Sequence, residues 1–175
     1  MKKYFITASI LTMISGVCAL LIAGINALTA PIIANNALAK KAELCQEIFA
    51  DFDASTSSVV SEGFTSEYIV EKIIANDSDS TSLGYIYTVS GSNAYGSIEL
   101  LVGINADGTL ESVQFITNGQ SFSNETEAHV TGSYTTGITS SDVDNIDTAC
   151  GATYAAKLVQ AMVAAAFADS QGGSW

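Results

Sequence analysis

The chain has 175 residues, a formal net charge of −12 and no arginine. Its length predicts one domain with an appendage, and its acidity argues against nucleic acid as a partner, because binding to a phosphate backbone needs clustered cations. Three scattered cysteines and a single histidine, His129, form neither a disulfide framework nor a zinc-ligand pattern. We therefore expect no metal site and assign no catalytic residue.

A long uncharged segment follows Lys2 and Lys3 and has its apolar core at residues 6–28. An apolar run of about 20 residues spans a bilayer, whereas a cleaved signal peptide has a shorter core of roughly 7–15 residues. We therefore predict a single-pass transmembrane anchor at residues 1–34. Cleavage within residues 27–30 stays open as the alternative.

Lysines flank this anchor on both sides, with Lys2 and Lys3 before it and Lys40 and Lys41 well after it. Because these counts nearly balance under the positive-inside rule, the orientation rests on the short N-terminal tail, which stays inside at little cost. We expect the acidic remainder on the extracytoplasmic side of the cell membrane. Residues 35–54 have loosely helical apolar spacing and predict either a connecting helix or a simple stalk.

The segment at residues 55–169 predicts a small α+β domain, in which an antiparallel sheet is packed with helices. It starts with a serine-rich linker at residues 55–61. Apolar residues alternate most regularly at Ile98, Leu100, Val102 and Ile104, which places their side chains on one buried face of a strand. The predicted strands are residues 67–75, 83–89, 98–104 and 110–116, with turns at residues 76–82 and 90–94.

A hairpin turn is predicted at residues 105–108, where Gly108 supplies the positive φ that closes it. A bulge is expected near Ser112 in the return strand. Residues 117–141 are polar and weakly periodic, so we predict a long loop that is functional or mobile. Residues 170–175 are predicted to be a disordered tail.

The last predicted element is an amphipathic helix that starts at Thr153, directly after Asp147 and a tight turn at Gly151. The first N–H groups of a helix have no partner within it and its dipole favours negative charge, so this junction predicts an anion site. The simpler interpretation is a loop-to-helix junction in which the threonine stands by chance. The buried stripe of the helix is predicted to contain Ala155, Leu158, Val159, Met162 and Ala166.

The segment at residues 147–153 resembles the flavinylation motif of the FMN-binding domain family, Asp-x-x-Ser/Thr-Gly-Ala-Thr. The membrane segment ending at residues 26–31 is similar to the anchor of the G-type subunit of Rnf electron-transport complexes and of the C-type subunit of sodium-pumping NADH:quinone reductase. The resemblance covers nearly the whole chain. Four further segments are similar, in the same order, to the strand, glycine turn, second strand and hairpin of the FMN-binding domain: residues 84–89, 95–98, 102–104 and 107–110.

The resemblance implies that FMN is held covalently, by a phosphoester on the hydroxyl of Thr153. It also implies that a separate flavin transferase, which uses FAD and a metal ion, forms this bond and recognises the segment that contains Asp147. Other cofactor contacts are implied at Cys150, Gly151, Ala152, Gln120, Ser121, Tyr95 and Gly96.

Three residues depart from the family pattern. Cys150 stands where the family has serine or threonine, and its thiol is a weaker hydrogen-bonding group than a hydroxyl. Gln120 and Ser121 stand where the family has a Glu-Thr pair, and residues 125–126 match that pair at poorer spacing. Tyr95 and Phe122 flank the predicted site, where stacking on the isoalloxazine and ordinary packing are both open.

The resulting hypothesis is a membrane-anchored, extracytoplasmic flavoprotein that transfers electrons through covalent FMN, rather than a self-contained enzyme. It is expected to be either a subunit of an Rnf-like complex or a stand-alone carrier, with redox proteins as partners. The departures at Gln120 and Ser121 favour the stand-alone or a divergent form. The alternative is an anchored surface domain that binds a ligand or a protein and carries no flavin. Noncovalent binding of FMN is a third possibility.

Overall fold

The structure is a computed structural model that describes residues 2–172. The chain divides into two compact units, Met1–Lys40 and Lys41–Trp175. The predicted α+β class is confirmed, with a five-stranded antiparallel sheet and helices. The strands are β1 Ser58–Val60, β2 Ile69–Asn76, β3 Ser82–Asn93, β4 Gly96–Asn105 and β5 Leu110–Asn118, and the helices are α1 Lys2–Ile48, α2 Ser123–Ser133, α3 Ser140–Val143 and α4 Thr153–Gly172.

The helix α1 contains both the predicted anchor and most of the predicted connecting segment. It continues through Pro31, because a proline removes one backbone hydrogen bond without having to end a helix. In the first unit its large apolar side chains are exposed on all sides, among them Leu20, Ile22 and Leu28. A helix that is apolar all round requires apolar surroundings. By length and composition, Ala8–Ile48 is a candidate membrane span.

The sheet of the second unit has its strands in sequence order from β1 to β5, and every neighbouring pair is antiparallel. The predicted alternation in β4 is confirmed, because Ile98, Leu100, Val102 and Ile104 are fully buried in the larger core under α4. Leu101 faces the opposite side, in a smaller core that the end of α1 covers. That smaller core contains Leu44, Cys45, Ile48, Phe49, Ile73, Ala75, Ile86 and Leu101.

The predicted hairpin between β4 and β5 is confirmed. Gly108 has a φ of 84°, and its N–H donates to the carbonyl of Asn105 at 2.9 Å. The predicted bulge is present as well, since Ile104 pairs with Leu110 while Gly103 pairs with Ser112. One extra residue of β5 therefore fits between these pairs.

Four sequence predictions about element boundaries are wrong. The strand β1 lies within the predicted linker, and β3 continues through most of the predicted turn at residues 90–94. The helices α2 and α3 occupy much of the predicted loop at residues 117–141. The helix α4 extends to Gly172, so residues 170–172 are helical, and the rest of the predicted tail lies outside the described residues. The sequence of α2 is weakly apolar and does not by itself predict a helix. The packing of its two buried residues, Thr126 and Val130, against the rest of the domain stabilises it.

The helix α4 lies close against β3. Four residues of its predicted stripe are buried and Leu158 is half-buried. A Cβ atom added at Gly91 of β3 would lie 2.8 Å from Leu158 Cδ1 and 3.1 Å from Met162 Sδ. The small side chains of α4 and the missing side chain at Gly91 therefore let the helix pack closely on the sheet. This packing fixes the position of the start of α4 over the sheet.

Candidate functional site

A cleft of about 240 Å³ lies where three segments of the second unit meet. These segments are the turn between β3 and β4, the loop before α2, and the first turn of α4. The cleft is lined by Tyr95, Gln120, Phe122, Gly151, Ala152, Thr153, Tyr154 and Ala155. The structure thus brings together five of the nine predicted cofactor contacts from three distant parts of the sequence.

Thr153 is the first residue of α4, and its side chain is half-buried in the wall of this cleft. Its hydroxyl donates to the carbonyl of Cys150 at 2.8 Å. Because the hydroxyl proton is directed at that carbonyl, the lone pairs of Oγ1 face away from the carbonyl oxygen. The N–H groups of the first helical turn have no carbonyl partner within the helix, so they provide donors for an anion at this position.

Asp147 and Cys150 shape the segment before α4 and do not line the cleft. The exposed Asp147 accepts the N–H of Ala149 on Oδ1 at 2.8 Å, and the N–H of Cys150 donates to the carbonyl of Thr148 at 2.9 Å. Cys150 is half-buried and packs on the edge of the larger core. The carboxylate therefore closes a local turn that leads the chain into the helix.

Gly151 lines the cleft and lies in a turn directly before α4, as predicted, but this turn does not use the backbone freedom of glycine. Its φ lies outside the positive range that favours glycine. A Cβ atom added at Gly151 would meet only the side chain of Glu125, with Cγ at 3.5 Å and Cβ at 3.9 Å, which is ordinary van der Waals contact. The fold itself therefore accepts a side chain at this position, and the glycine keeps the cleft open.

The loop before α2 is tied to the turn between β3 and β4. Gln120 is buried, and its Nε2 donates to the carbonyl of Gly96 at 2.7 Å. The N–H and the hydroxyl of Ser121 both donate to the carbonyl of Tyr95, at 3.1 and 3.3 Å. Gly96 and Ser121 thus fix the two loops together behind the cleft, and only Gln120 and Tyr95 of this set line it.

Residues 125–126, the alternative match to the family's Glu-Thr pair, lie in α2 and not in the loop before it. Glu125 lies beside Gly151 but is not among the residues that line the cleft. Thr126 is fully buried, and its hydroxyl donates to the carbonyl of Phe122 at 2.8 Å. This threonine therefore stabilises the first turn of α2, whereas Gln120 reaches the cleft.

Three aromatic rings at the cleft are unusually open to solvent. Tyr95 is 46 % exposed, Phe122 is 53 % exposed and Tyr154 is 66 % exposed. The rings of Tyr95 and Tyr154 are 5.4 Å apart at their centroids and tilted by 36°. Tyr154 was not among the predicted site residues, although an aromatic residue directly after Thr153 is a usable sequence signal. Open aromatic rings around a cleft are typical of a site for a flat, largely apolar ligand.

No charged side chain lines the described cleft. Within residues 2–172, no group of three or more histidine, cysteine, aspartate or glutamate side chains is placed to hold a metal ion. An anion in this cleft therefore depends on backbone N–H groups or on a covalent bond. A phosphorylated ligand with an aromatic ring system fits this cleft, because its phosphate would meet the N–H groups at the start of α4 and its ring system would meet the aromatic side chains.

Two comparisons with protein families agree with this geometry. Residues 1–48 match the RnfG N-terminal region, and residues 94–168 match the FMN-binding domain. No curated protein matches the chain. The second match contains every residue that lines the cleft, so the resemblance predicted from residues 147–153 is confirmed at the level of the domain.

The chain thus combines an RnfG-like N-terminal region with an FMN-binding domain. This combination implies FMN as the cofactor and a role in flavin electron transfer. The N-terminal match suggests membership of an Rnf complex, and the apolar α1 suggests membrane anchoring. Residues 49–93 and the last seven residues lie outside both matches.

Proposed function

We propose that this protein is an extracytoplasmic, membrane-anchored electron carrier with FMN esterified to Oγ1 of Thr153. The observation that carries the proposal is the position of this hydroxyl. It lies at the start of α4, in the wall of a cleft lined by aromatic rings. A phosphate there meets the N–H groups of the helix start, and the isoalloxazine meets the aromatic lining.

The ester forms when Oγ1 of Thr153 attacks the phosphorus of FAD on its riboflavin side and AMP leaves. The hydroxyl proton passes to a base of the flavin transferase, since an unaided hydroxyl is a poor nucleophile. Within this chain, the carbonyl of Cys150 holds the hydroxyl in one orientation before the reaction. The turn made by Asp147 presents the segment to the transferase. FMN supplies the redox chemistry, and the protein supplies binding and orientation.

Covalent attachment is tested by co-expression with a flavin transferase, followed by a denaturing gel read for flavin fluorescence. We expect a fluorescent band for the native chain and a dark band for Thr153→Ala. Thr148→Ala is the matched control, because it removes a hydroxyl from the same segment and should leave the band fluorescent. Fluorescence in Thr153→Ala refutes the acceptor, and a dark native band with extractable FMN supports noncovalent binding instead.

The side of the membrane is the second part of the proposal. It is supported by Lys2 and Lys3 at the start of α1, which favour a cytoplasmic N-terminus and place the 18 acidic residues, all of which follow Lys41, outside. Protease added to intact spheroplasts should remove the flavin-bearing domain from the membranes, while a cytoplasmic marker stays intact. Protection of the domain until the membrane is permeabilised would reverse the orientation.

The competing function is an anchored surface domain without flavin. It predicts a colourless protein and a dark native band even when an active transferase is present. A known flavinylated substrate of the same transferase, expressed in parallel, shows that the enzyme is active in the assay.

The proposal favours an Rnf-like complex over a stand-alone carrier, because the N-terminal match covers α1. Co-purification with other membrane subunits from mild detergent distinguishes such a complex from a stand-alone carrier.

A further inference from the structure

We infer that Tyr154 and Tyr95 form the surface on which the isoalloxazine ring stacks when FMN is attached to Thr153. The inference rests on the proposed function and adds to it the residues that position the ring. Tyr154 follows the acceptor threonine directly, whereas Tyr95 comes from the turn between β3 and β4. Both side chains line the same cleft as the acceptor hydroxyl.

Both rings stand on backbone that the fold holds in place. The N–H of Tyr95 donates to Oδ1 of Asn93 at 2.8 Å, and its carbonyl accepts the N–H of Ser121 at 3.1 Å. Tyr154 is the second residue of α4, a helix of 20 residues whose inner face is buried in the larger core. The rings therefore form a preorganised pair, which lowers the entropy lost when a ligand binds.

The spacing of the pair determines where a third ring fits. The centroids of Tyr95 and Tyr154 are 5.4 Å apart. A ring inserted between two others needs about 7 Å, which is twice the ~3.5 Å separation of carbon atoms in contact. The isoalloxazine therefore stacks on an outer face of the pair and is not sandwiched between the two tyrosines. The exposure of both side chains, 46 % and 66 %, leaves such a face open.

Flavin fluorescence gives a test that does not depend on electron-transfer activity. A phenol ring in contact with an excited isoalloxazine gives it one electron and takes the electron back, which quenches emission without net reaction. A phenyl ring keeps the stacking shape but is much harder to oxidise. Because one tyrosine of the pair stays in place in each single variant, we expect Tyr154→Phe and Tyr95→Phe each to raise the fluorescence per bound flavin, and the double variant to raise it severalfold, in the loaded, full-length protein.

Tyr68→Phe is the matched control, because Tyr68 is a half-buried tyrosine that packs on the larger core and does not line the cleft. This control should keep the native emission, and all proteins should emit equally after denaturation. Native emission in both cleft variants would overturn the inference. If Tyr154→Phe fails to accept flavin, Tyr95→Phe decides alone. A native chain without covalent flavin contradicts the proposed function itself, so the two failures are distinguishable.

Discussion

At the scale of single residues, the glycines around the cleft serve different purposes. Gly96 has a φ of 141°, and a Cβ atom there would collide with the carbonyl oxygen of Gly119. Gly151 has ordinary space for a Cβ atom. Gly96 is therefore required by the fold, because it lets the turn between β3 and β4 contact the loop that contains Gln120. Gly151 is not required by the fold, and its missing side chain leaves space in the cleft for a ligand.

Replacing Gly96 with alanine should therefore destabilise the protein. A strained backbone conformation alone costs about 1–3 kcal/mol, and the collision with Gly119 adds to this cost. Gly132→Ala is the control, because this glycine lies in α2 with no atom within 4 Å of an added Cβ. The control should stabilise the protein by up to about 1 kcal/mol. Thermal unfolding in detergent measures both, and an unchanged midpoint for Gly96→Ala would contradict the described backbone.

At the scale of elements, α4 has Thr153, the proposed acceptor, as its first residue and a polar cluster in its last turn. Asp169 accepts hydrogen bonds from Lys72 Nζ at 3.1 Å and from the hydroxyl of Tyr87 at 3.0 Å. The same ammonium lies 4.4 Å from the ring centroid of Tyr85, within range of a cation–π interaction. Burial, together with the charge of Asp169, raises the pKa of Tyr87, so its hydroxyl remains a donor. This cluster ties the end of the helix to the sheet.

Removing the cation from this cluster should loosen the end of α4. Lys72→Met leaves the carboxylate of Asp169 largely buried with one partner, and losing a hydrogen bond to a charged group costs about 1.5–3 kcal/mol. Lys157→Met is the control on the exposed side of α4, where a substitution changes stability by less than about 0.5 kcal/mol. Denaturant unfolding gives the difference in free energy. Amide exchange at residues 168–172 should accelerate in Lys72→Met only, and equal exchange in the two variants would contradict the role of the cluster.

At the scale of the whole molecule, the chain has two compact units with different surroundings. The first exposes apolar side chains all round, whereas the second buries apolar cores on both faces of its sheet. The last residues of α1 belong to the second unit, because Leu44, Cys45, Ile48 and Phe49 cover one of those faces. The unit boundary at Lys40 and Lys41 therefore lies inside α1 and not at its end.

This boundary predicts two different outcomes of truncation. A chain that begins at Lys41 should fold, remain in the soluble fraction and unfold cooperatively, whereas the full chain should pellet with membranes. A chain that begins at Asp53 loses four buried side chains, of which Leu44, Ile48 and Phe49 are each worth about 1.5–3 kcal/mol, and should be strongly destabilised. Circular dichroism during thermal unfolding measures both. Equal stability of the two truncated chains would show that the end of α1 is not part of the domain.

The sequence by itself determined the features that depend on local pattern. The apolar run of α1, the alternation in β4, the turn at Gly108 and the helix after Thr153 are each specified by neighbouring residues, through hydropathy, side-chain period and backbone conformation. The resemblance at residues 147–153 likewise follows from seven consecutive positions. The match of the chain to the FMN-binding domain was therefore predictable from the sequence alone.

Only the tertiary structure decided which of these residues meet. The helix α2 is stabilised by packing that its polar sequence does not reveal, and the short β1 forms by pairing with β2. The cleft joins Tyr95, Gln120 and Thr153 through contacts between loops far apart in sequence. Tyr154 enters the site, and Asp147 stays outside it, because α4 is fixed on the sheet by its buried face. Long-range packing sets these positions, and no local pattern encodes it.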